Sequence, residues 1–154
     1  MDYKIRKAKS GEESQLLNLV KVVLSEYKLE IDTGEIDKDL TDLDKYYFND
    51  KGWFFVLEVE GKIVASSAIA RMSDKQCELR KMYLLKEFQG NGFGKLLLEV
   101  SLKKAVELGY EEMILESNKM LQTANAMYRK YGFQEITPEH LSNRCDYAMK
   151  KKLL

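Results

Sequence analysis

Three glycines stand close together in the middle of the chain, where backbone rather than side chains could bind a ligand. Gly90, Gly92 and Gly94 fall within five residues, after an apolar run and before a segment with helical periodicity. Glycine adopts positive φ at little cost and lets other atoms approach the backbone. The first turn of a helix leaves N–H groups without helical partners and carries a partial positive charge. The pattern predicts a phosphate site in this loop; from these residues alone, the alternative is a glycine turn that binds nothing.

Two common phosphate-binding patterns do not fit this loop. The Walker pattern would need a glycine in place of Gln89 and a hydroxyl residue in place of Leu96. The dinucleotide pattern, started at Gly90, would need a glycine in place of Lys95. Nucleotide sites of these two kinds are therefore not predicted.

The elements that would position the loop alternate between strands and helices. Strand-like patterns cover residues 3–9, 53–59, 62–71, 76–86, 111–117, 132–136 and 144–153, and helical patterns cover residues 10–30, 35–43, 93–108 and 120–133. In this order we expect Ser10 to cap the first helix, Glu60-Gly61 to form a hairpin turn, and a parallel step to run across residues 90–109. The pattern predicts a mixed α/β sheet that is largely antiparallel. No linker or repeat interrupts it, so we expect one domain over residues 1–154.

Whole-chain properties limit the classes of function. Lysine plus arginine balances aspartate plus glutamate at 25 each, so no basic excess indicates a nucleic-acid partner. No apolar run approaches the ~18 residues of a membrane span, and the first residues lack the apolar core of a signal peptide. Cys77 and Cys145 are predicted to be free thiols in a reducing compartment, and we expect a cytoplasmic protein without a membrane partner. No Cys/His cluster has metal-site spacing, and His140 is predicted to be a surface loop residue.

Two stretches resemble a known family. The run "QGNGFG" matches the Gln/Arg-x-x-Gly-x-Gly/Ala loop of the GNAT superfamily of acetyl-CoA-dependent N-acetyltransferases. The surrounding "ELRKMYLLKEFQGNGFGKLLL" resembles that family's fourth strand, pyrophosphate loop and third helix, and "ANAMYRKYGF" resembles its last helix. The resemblance is close over residues 78–133 and extends to the flanks only in element order. It implies a sheet of about seven strands flanked by about four helices, splayed between strands 4 and 5.

The resemblance also implies how acetyl-CoA would be held. Backbone N–H groups would bind its pyrophosphate along the loop, at Gln89, Gly90, Asn91, Gly92, Phe93, Gly94 and Lys95. The backbone of Met82, Tyr83 and Leu84 would pair with the pantetheine arm as an added strand does. Asn125 and Tyr128 share a helix face and would point at the far end of the co-substrate. Many relatives carry an asparagine about seven residues before this tyrosine; this chain has Leu121 there, and Asn125 or Asn118 could replace it.

The implied reaction is direct transfer of an acetyl group from the thioester to a primary amine. The carbonyl oxygen gains charge and would need a donor such as the backbone N–H of Met82 or Tyr83. Tyr128, a phenol with an ordinary pKa of about 10, would protonate the leaving thiolate; the alternative is a core tyrosine. Glu78 would be the base, directly or through water. Its alternative is an ion pair with Arg80, which faces the same side of the strand.

The acceptor is less defined. The resemblance places it between segments 27–48 and 137–143, and the first of these is rich in acids that could attract a cationic amine or simply face solvent. Both a small-molecule amine and a protein amine stay open. A non-catalytic CoA-binding sensor or partner module is the alternative function, and an α/β protein with a structural glycine turn is a further one. A homodimer is possible through the C-terminal strand, although lysines 150–152 could equally protect that edge.

Overall fold

The computed structural model describes residues 2–138, 141–142 and 144–153. The described strands are β1 (Tyr3–Lys7), β2 (Trp53–Val59), β3 (Lys62–Arg71), β4 (Gln76–Leu84), β5 (Glu112–Ser117), β6 (Gln134–Ile136) and β7 (Tyr147–Lys152). The described helices are α1 (Glu13–Glu26), α2 (Leu43–Tyr46), α3 (Phe93–Glu107) and α4 (Gln122–Lys130). Short 3-10 turns lie at Lys38–Thr41, Phe48–Asp50 and Lys86–Phe88.

The strands form one mixed sheet in the order β1-β2-β3-β4-β5-β7-β6. Every neighbouring pair is antiparallel except β4 and β5, which are parallel. The parallel step runs through the glycine loop and α3, as a parallel connection needs a crossover helix. The predicted fold class, with about seven strands and four helices, is confirmed.

Two predictions about the first third of the chain differ from the structure. Ser10 does not cap α1; the helix begins at Glu13, and the carboxylates of Glu12 and Glu13 accept the N–H groups of Lys9 and Gly11. The short helix predicted over residues 35–43 is instead a 3-10 turn followed by α2. The break comes at Asp42, whose backbone is extended and whose carboxylate caps α2 by accepting from Lys45 N–H at 3.1 Å.

Buried apolar side chains form two clusters that meet at β4. One cluster joins α1, α2, β2 and β3, and the other joins α3, α4, β5 and β7. Met82 packs against both. None of the helices in the described residues has the length and apolar character needed to cross a membrane.

Strands β4 and β5 separate in the middle of the sheet, as the family resemblance implied. They pair only where Gln76–Glu78 faces Glu112–Ile114. Beyond that point β4 continues beside β3 as far as Leu84, while β5 pairs with β7 as far as Ser117. The sheet therefore opens at its centre, next to the start of α3.

Strand β4 carries a bulge beside this opening. The register between β3 and β4 shifts by one residue, since Ala68 faces Arg80 whereas Ser66 faces Tyr83. Lys81, within the shift, has φ of +53°. One extra residue in a strand bends it and changes the directions of its groups.

Candidate active site

The glycine loop has the backbone conformation that its sequence predicts. Gly90 and Gly92 have φ of +84° and +80°, in the left-handed region that favours glycine. A Cβ at either position would meet no atom within 4 Å, so backbone conformation rather than crowding requires glycine here. The Asn91 side chain donates to Phe88 O at 3.2 Å and holds the turn together.

A row of backbone N–H groups is free at the start of α3. The Gln89 N–H donates to Lys86 O at 3.2 Å, and the first helical bond runs from Leu96 N–H to Gly92 O at 3.1 Å. Between them, from Gly90 to Lys95, no N–H donates to a group of the described residues. Six adjacent donors at a helix N-terminus form a site suited to a phosphate or diphosphate.

Five of these six residues, all but Asn91, line a cleft of about 910 Å³. The cleft runs from the glycine loop, between the separated strands and α4, to the segment that follows α1. The predicted site residues line it except Asn91 and Asn125; those that do are Glu78, Met82, Tyr83, Leu84, Gln89, Gly90, Gly92, Phe93, Gly94, Lys95 and Tyr128. One continuous cleft therefore joins the predicted pyrophosphate loop to both predicted catalytic side chains.

The open edge of β4 offers backbone groups to the cleft. Leu85 N–H donates to Val64 O at 3.0 Å, so residue 85 faces β3. Adjacent residues of a strand direct their N–H and C=O groups to opposite neighbours. The groups of Tyr83, opposite Ser66, therefore also face β3, whereas those of Met82 and Leu84 face the opening. This alternation favours Met82 over Tyr83 as a backbone donor inside the cleft.

Tyr128 is buried at the far side of the opening. It lies on α4, is 6% exposed, and packs edge-to-face on Phe133 at 5.8 Å between ring centroids. Burial, with smaller contributions from Tyr83 and Tyr147, raises the pKa of Tyr128 above its ordinary value. The described residues give its hydroxyl no hydrogen-bond partner, so a protonated phenol stands in the cleft with its proton uncommitted.

Asn125 shares the buried face of α4 with Tyr128, as its spacing predicted. Its Oδ1 accepts from Ser117 Oγ at 2.5 Å, and its Nδ2 donates to Asn118 O at 3.0 Å. Both polar atoms of its amide therefore bind the end of β5. Contact of Asn125 with a co-substrate stays a prediction. The observed hydrogen bonds of Asn125 attach α4 to the end of β5.

Glu78 and Arg80 form an ion pair on one face of β4. Glu78 is almost fully buried, while the Arg80 side chain is one-third exposed. Burial would lower the pKa of Arg80, but the charge and hydrogen bond of Glu78, together with the charges of Tyr47 and Asp39, raise that pKa. Glu78 thus lines the cleft in contact with a permanent cation. This geometry fits a proton acceptor and a simple ion-pair partner equally, so the base role stays a prediction.

The acids expected to form a cationic-amine rim are largely committed to the protein. Asp37 accepts both Nη atoms of Arg144, at 2.6 and 2.8 Å, and Tyr47 donates to Asp39. Burial would raise the pKa of Asp37, but hydrogen bonds from Arg144 and from the Asp32 backbone, with the Lys81 charge, lower it to about 2. Among the acids of the segment, Glu35 and Asp39 line the cleft. The rim is therefore less acidic than the sequence suggested.

Sequence reasoning missed the buried charges at this end of the cleft. Lys81 lies 3.0 Å from Asp37 and 3.2 Å from Asp39, with its side chain 6% exposed. One signal was present: Lys81 falls on the strand face shared by Cys77 and Leu79, and a lysine there breaks the alternation. No comparable signal pairs Asp37 with Arg144, 107 residues away. His140, and residues 139 and 143 of the late loop predicted to frame the acceptor, lie outside the described residues.

Comparison with known proteins identifies the family. A family model for the acetyltransferase (GNAT) domain matches residues 50–135, more than half of the chain. The uncharacterized N-acetyltransferase YjgM of Escherichia coli K12 is 32% identical over 126 residues, which cover 79% of this chain and 75% of that protein. The chain spans less than half of three other matched curated relatives.

Solved structures share the whole fold. An acetyltransferase from Streptococcus agalactiae superposes with a TM-score of 0.86 at 25% identity, over 97% of this chain and 98% of that one. The PaiA N-acetyltransferase of Thermoplasma acidophilum, solved in complex with coenzyme A, superposes with a TM-score of 0.77 at 19% identity, over 99% of each chain. The family model, the bacterial relative and the splayed sheet agree: the chain belongs to the GNAT acetyltransferase family and is an acyltransferase.

Proposed function

We propose that the protein transfers an acetyl group from acetyl-CoA directly to the primary amine of a small molecule or a protein. The observation that carries this proposal is the row of uncommitted N–H groups from Gly90 to Lys95, in a loop that lines the same cleft as Tyr128. These amides would bind the CoA pyrophosphate at the positive end of α3. The co-crystallised coenzyme A of the Thermoplasma relative supports a CoA-based donor.

The open edge of β4 would hold the arm of the co-substrate. The pantetheine amides would pair with the free backbone groups of Met82 and Leu84, as a strand added to a sheet does. The thioester then lies between β4 and Tyr128. The Met82 N–H would donate to the carbonyl oxygen as it gains charge.

The chemistry then needs two proton transfers. The neutral amine attacks the thioester carbon, forms the C–N bond and gives up one proton, for which Glu78 is the acceptor directly or through water. The C–S bond breaks, and the CoA thiolate takes the proton of Tyr128, which solvent restores. The phenol of Tyr128 holds the proton that this role needs, because an ordinary phenol has a pKa of about 10 and is protonated at neutral pH.

Thiol release from acetyl-CoA tests the proposal. The assay uses a panel containing a polyamine, an amino sugar, an amino acid, and peptides with a free N-terminus or lysine, with acetyl-CoA alone as the control. Amine-dependent release with an N-acetylated product by mass spectrometry is the expected result. Binding of CoA without turnover across the panel would instead indicate a CoA-binding module.

Thermal unfolding separates both outcomes from a glycine turn that binds nothing. A ligand at 100 times its dissociation constant stabilises the folded state by about 2.7 kcal/mol. We expect CoA to raise the melting temperature accordingly, and no shift would contradict the pyrophosphate site. One domain over residues 1–154, a cytoplasmic location and a possible homodimer stay predictions beside this proposal.

A further inference from the structure

Lys81 occupies a backbone conformation that lysine disfavours. Its φ of +53° lies in the left-handed region, at the extra residue of the β4 bulge. A non-glycine residue is disfavoured there, so the surrounding structure must hold it in place. Such conformations cluster at functional sites, and this one directly precedes Met82.

Both ends of Lys81 are anchored. Its Nζ lies 3.0 Å from Asp37 Oδ1 and 3.2 Å from Asp39 Oδ1, and it donates to Ile36 O at 3.3 Å. Its carbonyl accepts from the buried Ser66 hydroxyl at 2.7 Å. The side chain therefore ties the bulge to residues 36–39, and the carbonyl ties it to β3.

The two acids that bind Lys81 are themselves held in place by other groups. Asp37 is fully buried and accepts two hydrogen bonds from Arg144, while Asp39 accepts one from the buried Tyr47 hydroxyl. Removing one partner of a buried ion pair leaves an uncompensated charge. Movement of the Lys81 ammonium out of this position is therefore costly, and the cost opposes relaxation of the bulge.

We propose that Lys81 is a positioning residue for acyl transfer: its buried ion pairs hold the β4 bulge, and the bulge aims the Met82 N–H at the thioester oxygen. The inference rests on the proposed function and deepens it. A regular extended conformation at residue 81 would change the direction of the next N–H. The acyl oxygen would then lose a donor at the moment it gains charge.

Two substitutions of Lys81 distinguish the effect of its ion pairs from the effect of its disfavoured φ. Lys81→Ala removes the ion pairs and keeps the penalty for positive φ, so we expect the bulge to relax. Lys81→Gly removes the same charge but adopts positive φ freely, so we expect it to keep more of the bulge. Loss of one oxyanion donor lowers kcat by about 10²–10³. We expect Lys81→Ala to lower kcat by about 10-fold or more, with little change in KM for acetyl-CoA. Lys81→Gly should lower kcat less.

A control variant removes a comparable cation elsewhere. Arg6 of β1 bridges Glu12 and Glu58 at 2.8 and 3.1 Å and does not line the cleft. Arg6→Ala should lower stability without changing kcat. All variants are assayed at a temperature at which unfolding curves show them folded.

The bulge itself is measured without substrate, from the NMR chemical shifts of residues 80–83 in the ligand-free protein. The inference is supported if Lys81→Ala loses both the chemical shifts typical of the bulge and its kcat, while Lys81→Gly retains more of both. Normal kcat in Lys81→Ala, equal losses of kcat in the two variants, or lost kcat with unchanged bulge shifts would each overturn it. A wild-type protein that turns over no amine would overturn the proposed function and the catalytic role, whereas the shifts still decide whether Lys81 holds the bulge.

Discussion

At the scale of single residues, Tyr128 and Glu78 line one cleft in opposite surroundings. Tyr128 is buried among apolar and aromatic side chains, which favours its neutral form. Glu78 lies against the Arg80 guanidinium in an ion pair. In the proposed reaction the tyrosine would give a proton and the glutamate would receive one.

The Tyr128 hydroxyl should matter for turnover and little for folding. General acid catalysis contributes about 10²–10⁴ to rate, so Tyr128→Phe should lower kcat at least about 100-fold while CoA binding, measured by calorimetry, is kept. Its melting temperature should barely change, because the described residues leave this hydroxyl without a partner. Tyr131→Phe is the control, since the exposed Tyr131 hydroxyl binds Glu99 and does not line the cleft. Equal kcat in the two variants would remove the acid role.

Substitutions of Glu78 and of Arg80 distinguish a base role of Glu78 from a role as the ion-pair partner of Arg80. If Glu78 is the base, Glu78→Gln should lower kcat far more than Arg80→Met, and its residual rate should rise with pH as the amine deprotonates in solution. The measurement is a pH profile of kcat for both variants. Similar losses with parallel profiles would mean that Glu78 serves only to pair Arg80.

At the scale of elements, the site consists of a helix start beside an unpaired strand edge. The parallel pairing of β4 and β5 ends at Glu78, and α3 begins at Phe93. The glycines between them let the chain turn into α3 while N–H groups of the turn stay without partners in the described residues. The site is therefore built mainly from backbone, which explains how one loop pattern can identify it.

A matched pair of glycines tests whether the loop conformation binds CoA. Gly92 and Gly61 have φ of +80° and +82°, and a Cβ at either would meet no atom within 4 Å. Gly61 lies in the β2–β3 turn, outside the cleft. Alanine at either position should cost about 1–2 kcal/mol of stability, but only Gly92→Ala should weaken CoA binding, by several-fold or more in calorimetry. Equal CoA affinity in both variants would contradict a pyrophosphate site at α3.

At the scale of the whole molecule, buried ion pairs join segments far apart in the chain. Arg144, just before β7, binds Asp37 and the carbonyl of Glu30. Asp37 in turn pairs with Lys81 of β4. Charges from three separate segments are therefore buried together at this end of the cleft, and they should link the stability of the fold to pH.

Acid should remove part of this stability. The pKa of Asp37 is about 2 in the folded protein, against 3.8 for an ordinary aspartate. The ionised group therefore stabilises the fold above pH 3.8, and the contribution, about 2 kcal/mol, is lost as pH falls through 3.8 towards 2. Urea unfolding between pH 6 and pH 2 measures the loss. Arg144→Met should be less stable at pH 6 and should show a shallower acid decline; an unchanged decline would mean that Arg144 does not lower this pKa.

Local sequence patterns determined the elements and the glycine loop. The β2–β3 hairpin begins and ends where alternation predicted, and α3 begins at Phe93 as its periodicity indicated. These features depend on preferences that act over a few neighbouring residues, such as glycine at positive φ and apolar spacing at 2 or 3.6. The family resemblance rests on the same local features, so it too could be drawn from the sequence.

Only the tertiary structure decided which charges are buried partners. The pairing of Asp37 with Arg144, the bulge at Lys81 and the attachment of Asn125 to β5 link groups that the sequence does not bring together. An ion pair forms where the fold places both groups out of water, and that placement depends on the packing of the whole chain. The glycine loop was therefore readable in the sequence, whereas the buried charges at the other end of the cleft were decided by long-range packing.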